Sequence, residues 1–140
     1  MDKSRTTNFD LIKYAKQLSI PLISIVPKDD LWKMKPIQGA YIFNLGDSTH
    51  WICAYLESPS KVAYFDSFGQ TAPLAVIDFV RRFGSKKLLE SDKVIQNIES
   101  GSCGGYCLYF LSFMTHNRHI PFEKRYRMFL NLFHNGLKRR

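Results

Sequence analysis

The chain of 140 residues has three cysteines, no long uncharged apolar run and no internal repeat or low-complexity segment. Each absence excludes something. An odd, small number of cysteines does not make the disulfide framework that small secreted domains rely on, so reduced thiols in an intracellular setting are expected. No stretch approaches the roughly 20 apolar residues that cross a bilayer, so no membrane span is expected. The opening Met1-Asp2-Lys3-Ser4-Arg5 leads into an amphipathic pattern and lacks a signal peptide's apolar centre and cleavage site. Acidic residues are scarce towards the end. From Arg118 onward there are seven basic residues and one acidic residue, Glu123, a net of +6 out of the chain's +8. A basic helix and tail over 118–140 suits nucleic acid or an acidic partner, or is simply a solvated helix face.

What is present is a folding composition. Hydrophobic residues make up 45% and aromatics 14%, enough for one domain, 1–140, with its own core. Leu11, Ile12, Ala15 and Leu18 share a helical face, with Thr7 and Asp10 at capping-box spacing before Pro21 ends the helix. Ile23 to Val26 reads as a short strand. Pro27 to Gln38 reads as a loop with Trp32 tucked beneath it. Three strand-like runs follow, Ala40–Leu45, Trp51–Leu56 and Val62–Asp66, separated by turn residues as in an antiparallel meander. Pro73 to Phe83 is an amphipathic helix, and Lys93 to Ile98 a further strand. Gly104 to Thr115 is apolar nearly all round, the pattern of a central buried helix. Pro121 opens a last helix that Gly136 is expected to close. The fold class expected is α+β: a mostly antiparallel sheet packed on a buried helix, with flanking helices.

The chemistry gathers at Gly101-Ser102-Cys103-Gly104-Gly105. This reads as a turn delivering Cys103 to the N-terminus of the buried helix, where the helix dipole favours a thiolate. The flanking glycines leave room for a substrate backbone. His50 lies eight residues before Ser58 and Asp66 eight after it, so a hairpin turning at Ser58 sets the two side by side. An Asp beside a His fixes its tautomer and stabilises the imidazolium. His50 is then the base, Cys103 the nucleophile, and the Cys103 N–H and Gln96 amide the donors to an oxyanion. Trp51 and Gly104 are candidate substrate contacts. Cys53, mid-strand, and Cys107, mid-helix, read as inert core thiols. His116, His119 and His134 read as surface residues. Cys103, Cys107, His116 and His119 loosely mimic a zinc finger, but the interval from Cys107 to His116 is short and solidly apolar, so no metal is expected.

In this order and with this local text, the chain resembles the adenovirus-type (adenain-like) cysteine proteases, in the clan shared with the SUMO-specific proteases. The quoted residues are Thr49-His50-Trp51, Ala63-Tyr64-Phe65-Asp66-Ser67-Phe68-Gly69, Gln96, and Ser102-Cys103-Gly104. The resemblance spans roughly residues 9 to 116. It implies an adenain-like protease fold and peptide hydrolysis through a thioester, after a small residue such as Gly. It implies a viral maturation protease acting on capsid or core precursors in the infected cell and virion, with DNA or an activating peptide as cofactor. A monomer is expected, from a small DNA virus, virophage or related element. The acidic member is Asp66 where the adenovirus enzyme has Glu, and no cysteine matches the one that bonds the activating peptide. A SUMO- or ubiquitin-like deconjugating isopeptidase is the second reading, and a non-enzymatic basic nucleic-acid-binding domain the third.

Overall fold

The computed structural model describes residues 7–46, 50–95 and 103–138, with side chains as far as Phe133. The fold is α+β, a four-stranded mixed sheet with helices on both faces. In chain order the elements are α1 (Asn8–Gln17), β1 (Leu22–Pro27), a 3₁₀ helix (Lys28–Lys33), β2 (Gly39–Asn44), β3 (Trp51–Ser58), β4 (Lys61–Phe65), α2 (Leu74–Arg82), α3 (Cys103–His116) and α4 (Phe122–Lys138). The sheet runs β1-β2-β3-β4. β2, β3 and β4 form the expected antiparallel meander, while β1 joins β2 in parallel.

The strands are apolar at nearly every position because both faces are covered. Ala40, Ile42, Cys53, Tyr55, Ala63 and Phe65 pack with α1, α3 and α4. Their alternates Tyr41, Phe43, Ile52, Ala54, Leu56 and Tyr64 pack with α2 and the 3₁₀ helix. This is the period of two that strands impose. Under β4, Phe65 stacks on Phe110 at 5.0 Å and meets Phe129 edge-on at 5.3 Å. α3 is thus largely enclosed, although Gly105 and Tyr109 leave one stripe of it open to solvent instead of the burial all round that its apolar pattern suggests.

Local signals account for the helix ends. The Thr7 hydroxyl accepts the Asp10 N–H and the Asp10 carboxylate accepts the Thr7 N–H, each at 3.1 Å, a complete capping box. On α1, however, only Leu11 and Ala15 are buried, and Ile12 and Leu18 stay half-exposed. The stretch after Pro27 is a 3₁₀ helix, and Trp32 is 71% exposed instead of tucked beneath it. Arg82 holds that helix by donating to the carbonyls of Leu31 and Met34 at 2.9 and 2.6 Å. α4 runs through Gly136 to Lys138. No strand forms over residues 93–95, and 96–98 lie outside the described residues. The free edge of β4 is instead met by Leu89, which accepts from Tyr64 N–H at 2.7 Å and donates to Val62 O at 3.0 Å.

The β3–β4 hairpin departs from the expected register. It turns at Pro59-Ser60, and Glu57 is an extra residue in β3 between the pairs Leu56↔Val62 and Ser58↔Lys61. Cys53 pairs with Phe65. Continuing that register sets His50 across from Phe68, and Asp66 across from Ile52. The shift is two residues, so the facing side is preserved. The bulge also turns Glu57 towards Arg125, whose guanidinium donates to it at 2.8 Å. Arg125 is 1% exposed, and it also donates to the carbonyls of Met114, Arg118 and Ile120. The basic 118–140 segment therefore presents one charge fewer than its sequence suggests.

Replacing Arg125 by Ala leaves the nearly buried Glu57 with only the more distant, half-exposed Arg118, whose Nε lies 3.6 Å away. Loss of one member of such a pair typically costs about 3–5 kcal/mol. Urea unfolding should show a loss of that order for Arg125→Ala, and a smaller one when Arg125→Met is combined with Glu57→Leu.

Candidate active site

The hairpin and α3 bring three of the expected residues together. His50 immediately precedes β3, Asp66 immediately follows β4, and Cys103 begins α3. His50 Nε2 lies 3.0 Å from Asp66 Oδ1. A carboxylate accepts, so Nε2 carries the proton and donates. This leaves Nδ1 as the basic nitrogen of the neutral ring. Nδ1 is buried, and among the described residues no nitrogen or oxygen lies within hydrogen-bond distance of it. Besides Asp66, the group the ring senses is the Cys103 thiol, through hydrogen bonding and charge. The Trp51 N–H also donates to Sγ, at 3.1 Å.

Burial by itself pushes the His50 imidazole down. Hydrogen bonds and charge from Asp66 and Cys103 outweigh it and raise the group from 6.5 to about 9. At neutral pH the arrangement therefore supports an imidazolium flanked by two acids. Asp66 is buried, and its Oδ1 also accepts the Phe68 N–H at 2.9 Å, an Asx turn that holds the carboxylate still. Gly69 closes the turn with its N–H on Asp66 O at 2.9 Å. Its φ of +73° is in the left-handed region, and a Cβ there would fall 2.5 Å from Asp92 O. Beyond this contact, Ile95 donates its N–H to Ser67 O at 3.0 Å.

The other candidates fall differently. Trp51 is 4% exposed with its ring in the core, so its part in the site is its backbone N–H and not an open wall for substrate. Gly104 is buried as well, whereas Gly105 is exposed. Gln96 lies outside the described residues; its neighbour Ile95 is anchored to the Asp66 turn. Cys53 and Cys107 are fully buried. Burial, with Cys53 alongside, pushes the Cys107 thiol well above its ordinary value. Cys103 keeps 4% exposure against 0% for those two. His116 is exposed and lies 2.8 Å from Leu18 O, joining the C-terminal ends of α1 and α3.

Two features went unread in the sequence, the Trp51 donor and the Phe68 ring that packs on His50 at 4.7 Å. The first has no sequence signature. The second was signalled by Asp66-Ser67-Phe68-Gly69, an Asx-turn pattern with glycine where a positive φ falls. The chain matches no protein-family model, no curated protein and no solved structure.

Two outcomes follow from the raised His50. In Asp66→Asn the imidazole should titrate more than about one pH unit below the wild-type midpoint near 9, as the opposite charge is lost; histidine NMR titration reads this. A raised folded-state value means that the folded protein holds this proton more tightly. The stabilisation is complete below the unfolded value of 6.5 and disappears as pH rises through about 9. Urea midpoints of wild type should therefore fall between pH 6.5 and 9 more than those of His50→Gln.

Proposed function

We propose that the protein is a cysteine endopeptidase of the adenovirus type, acting through Cys103, His50 and Asp66. The observation that carries this reading is the His50 ring, with Asp66 at 3.0 Å on Nε2 and the Cys103 thiol as the other group it senses. The Trp51 N–H on Cys103 Sγ supports it, since a core thiol has no need of such a donor. So does the ordered series of motifs around His50, Asp66, Gln96 and Cys103. The adenain-like fold belongs to the same proposal.

The chemistry runs as follows. Nδ1 of His50 takes the Cys103 proton, giving a thiolate–imidazolium pair. The thiolate attacks the scissile carbonyl, and the oxyanion is met by the Cys103 N–H and the Gln96 amide. The imidazolium passes its proton from Nδ1 to the leaving amine, and the C–N bond breaks to leave a thioester on Cys103. Water, giving a proton back to His50, then hydrolyses the thioester and restores the thiol. Asp66 keeps the ring's orientation and balances its charge throughout. The substrates of this reading are capsid or core precursors, cut after a small residue such as Gly. DNA would act through the exposed members of the basic segment, Arg118, Lys124 and Arg127.

Iodoacetamide labelling across pH, read by peptide mass spectrometry, tests the activated pair directly. Cys103 should be modified selectively well below pH 8, with the selectivity lost in His50→Ala; equal, slow labelling of all three cysteines would sink the proposal. Cys103→Ala should abolish cleavage of a Gly-containing capsid-type peptide while leaving the fold intact. Gln96→Ala should lower kcat by about 10²–10³, the usual effect of losing one oxyanion donor. Cleavage confined to a ubiquitin-like fluorogenic substrate would reassign the same site to deconjugation.

A further inference from the structure

The ring of Phe68 lies against the His50 imidazole, with 4.7 Å between centroids and 34° between planes. Two features of the backbone build this contact. Asp66 Oδ1 takes both the His50 Nε2–H, at 3.0 Å, and the Phe68 N–H, at 2.9 Å. One oxygen thus fixes the imidazole and also the residue that covers it. Gly69 then turns the chain in a conformation that side-chain-bearing residues rarely adopt, tight against Asp92. The turn fixes the backbone from which the ring projects.

Phe68 nevertheless keeps 43% of its surface exposed. An apolar ring left this open contributes less core burial than its size allows. Its inner face instead lies on the imidazole, whose side chain keeps 14% exposure. Asp66 at the end of β4 and Cys103 at the start of α3 are the titratable groups that act on the ring. Phe68 adds no charge to them. It adds a hydrocarbon wall and an aromatic face, which favours a cation above it.

We propose that Phe68 is a positioning residue that covers His50, keeps water from the His50–Asp66 hydrogen bond and holds the imidazole aimed at Cys103. The proposal rests on the reading of His50 as the base for Cys103. Removing the cover relieves the burial that by itself pushes the imidazole down. It also lets water compete for Nε2, screens the Asp66 charge and removes the aromatic face that favours the cation. In this proposal those losses outweigh the relief, and the imidazole moves back towards its ordinary behaviour.

The test uses the whole chain as wild type, Phe68→Ala, Phe68→Gln and Phe68→Tyr. Histidine NMR gives the His50 titration midpoint, and iodoacetamide labelling on the same samples gives the pH profile of Cys103. In Phe68→Ala the midpoint should fall from near 9 by about one pH unit or more. The upper limb of the Cys103 profile should move down with it. Phe68→Tyr, which keeps the ring, should restore both. An unchanged midpoint in Phe68→Ala, or a fall as large in Phe68→Tyr, overturns the proposal. Should Phe68→Ala not fold, Phe68→Gln takes its place, with similar volume but no water-excluding face; an unchanged midpoint there is equally decisive against the proposal. The protease reading is judged separately, by whether wild-type Cys103 reacts selectively at all.

Discussion

The Asp66 carboxylate is the point on which the site depends. It is buried, and a single oxygen receives the imidazole of His50 and the backbone N–H of Phe68. The first contact dictates which nitrogen of His50 carries the proton, and so which nitrogen is left as the basic one. The second fixes the path of the chain leaving β4, and through Gly69 the approach of the 92–95 segment. A buried acid is tolerable only when its lone pairs are used, and here they are used to orient two neighbours at once.

That carboxylate can be so placed because the hairpin is rigid. β3 is covered on both faces, by α3 on one side and by the α2 layer on the other. Its far end is tied by the Glu57 bulge to Arg125, and Arg125 ties in turn to the carbonyls that end α3. The two strand ends at the other extreme carry His50 and Asp66. α3, packed along most of its length against β3, α1 and α4, brings Cys103 to them.

The meander, the capping box, the buried α3 and the amphipathic α2 were legible because each has a local periodicity or a terminal signal. The proximity of His50 and Asp66 was legible too, although the reason offered was wrong in detail. Symmetry about Ser58 made them direct partners, whereas the bulge at Glu57 and the turn at Pro59-Ser60 leave them offset by two. An even offset spares the facing side, so the contact survives. What could not be read was tertiary. Arg125 looks like any other cation of a basic helix until Glu57 and four donor contacts enclose it. Trp51 looks like a wall until its ring is seen in the core and its N–H on sulfur. The bridge by Leu89 arises from an unpaired edge finding the nearest backbone, which no periodicity announces.

The turn after Asp66 has a consequence for how the chain can vary. Ser67 and Gly69 meet Ile95 and Asp92, so the intervening stretch leaves the site and returns to almost the same place. α2 lies on that excursion and covers the sheet face served by Tyr41, Phe43 and Tyr64. The excursion is a closed detour whose two ends are pinned together. Insertions in its exposed links, outside α2 and Leu89, fall on the far face of the molecule, away from the pinned ends next to Asp66. Length can therefore change in the exposed links of this detour, outside α2 and Leu89, so overall size would be a poor guide to kinship among chains that share the His, Asp and Cys arrangement.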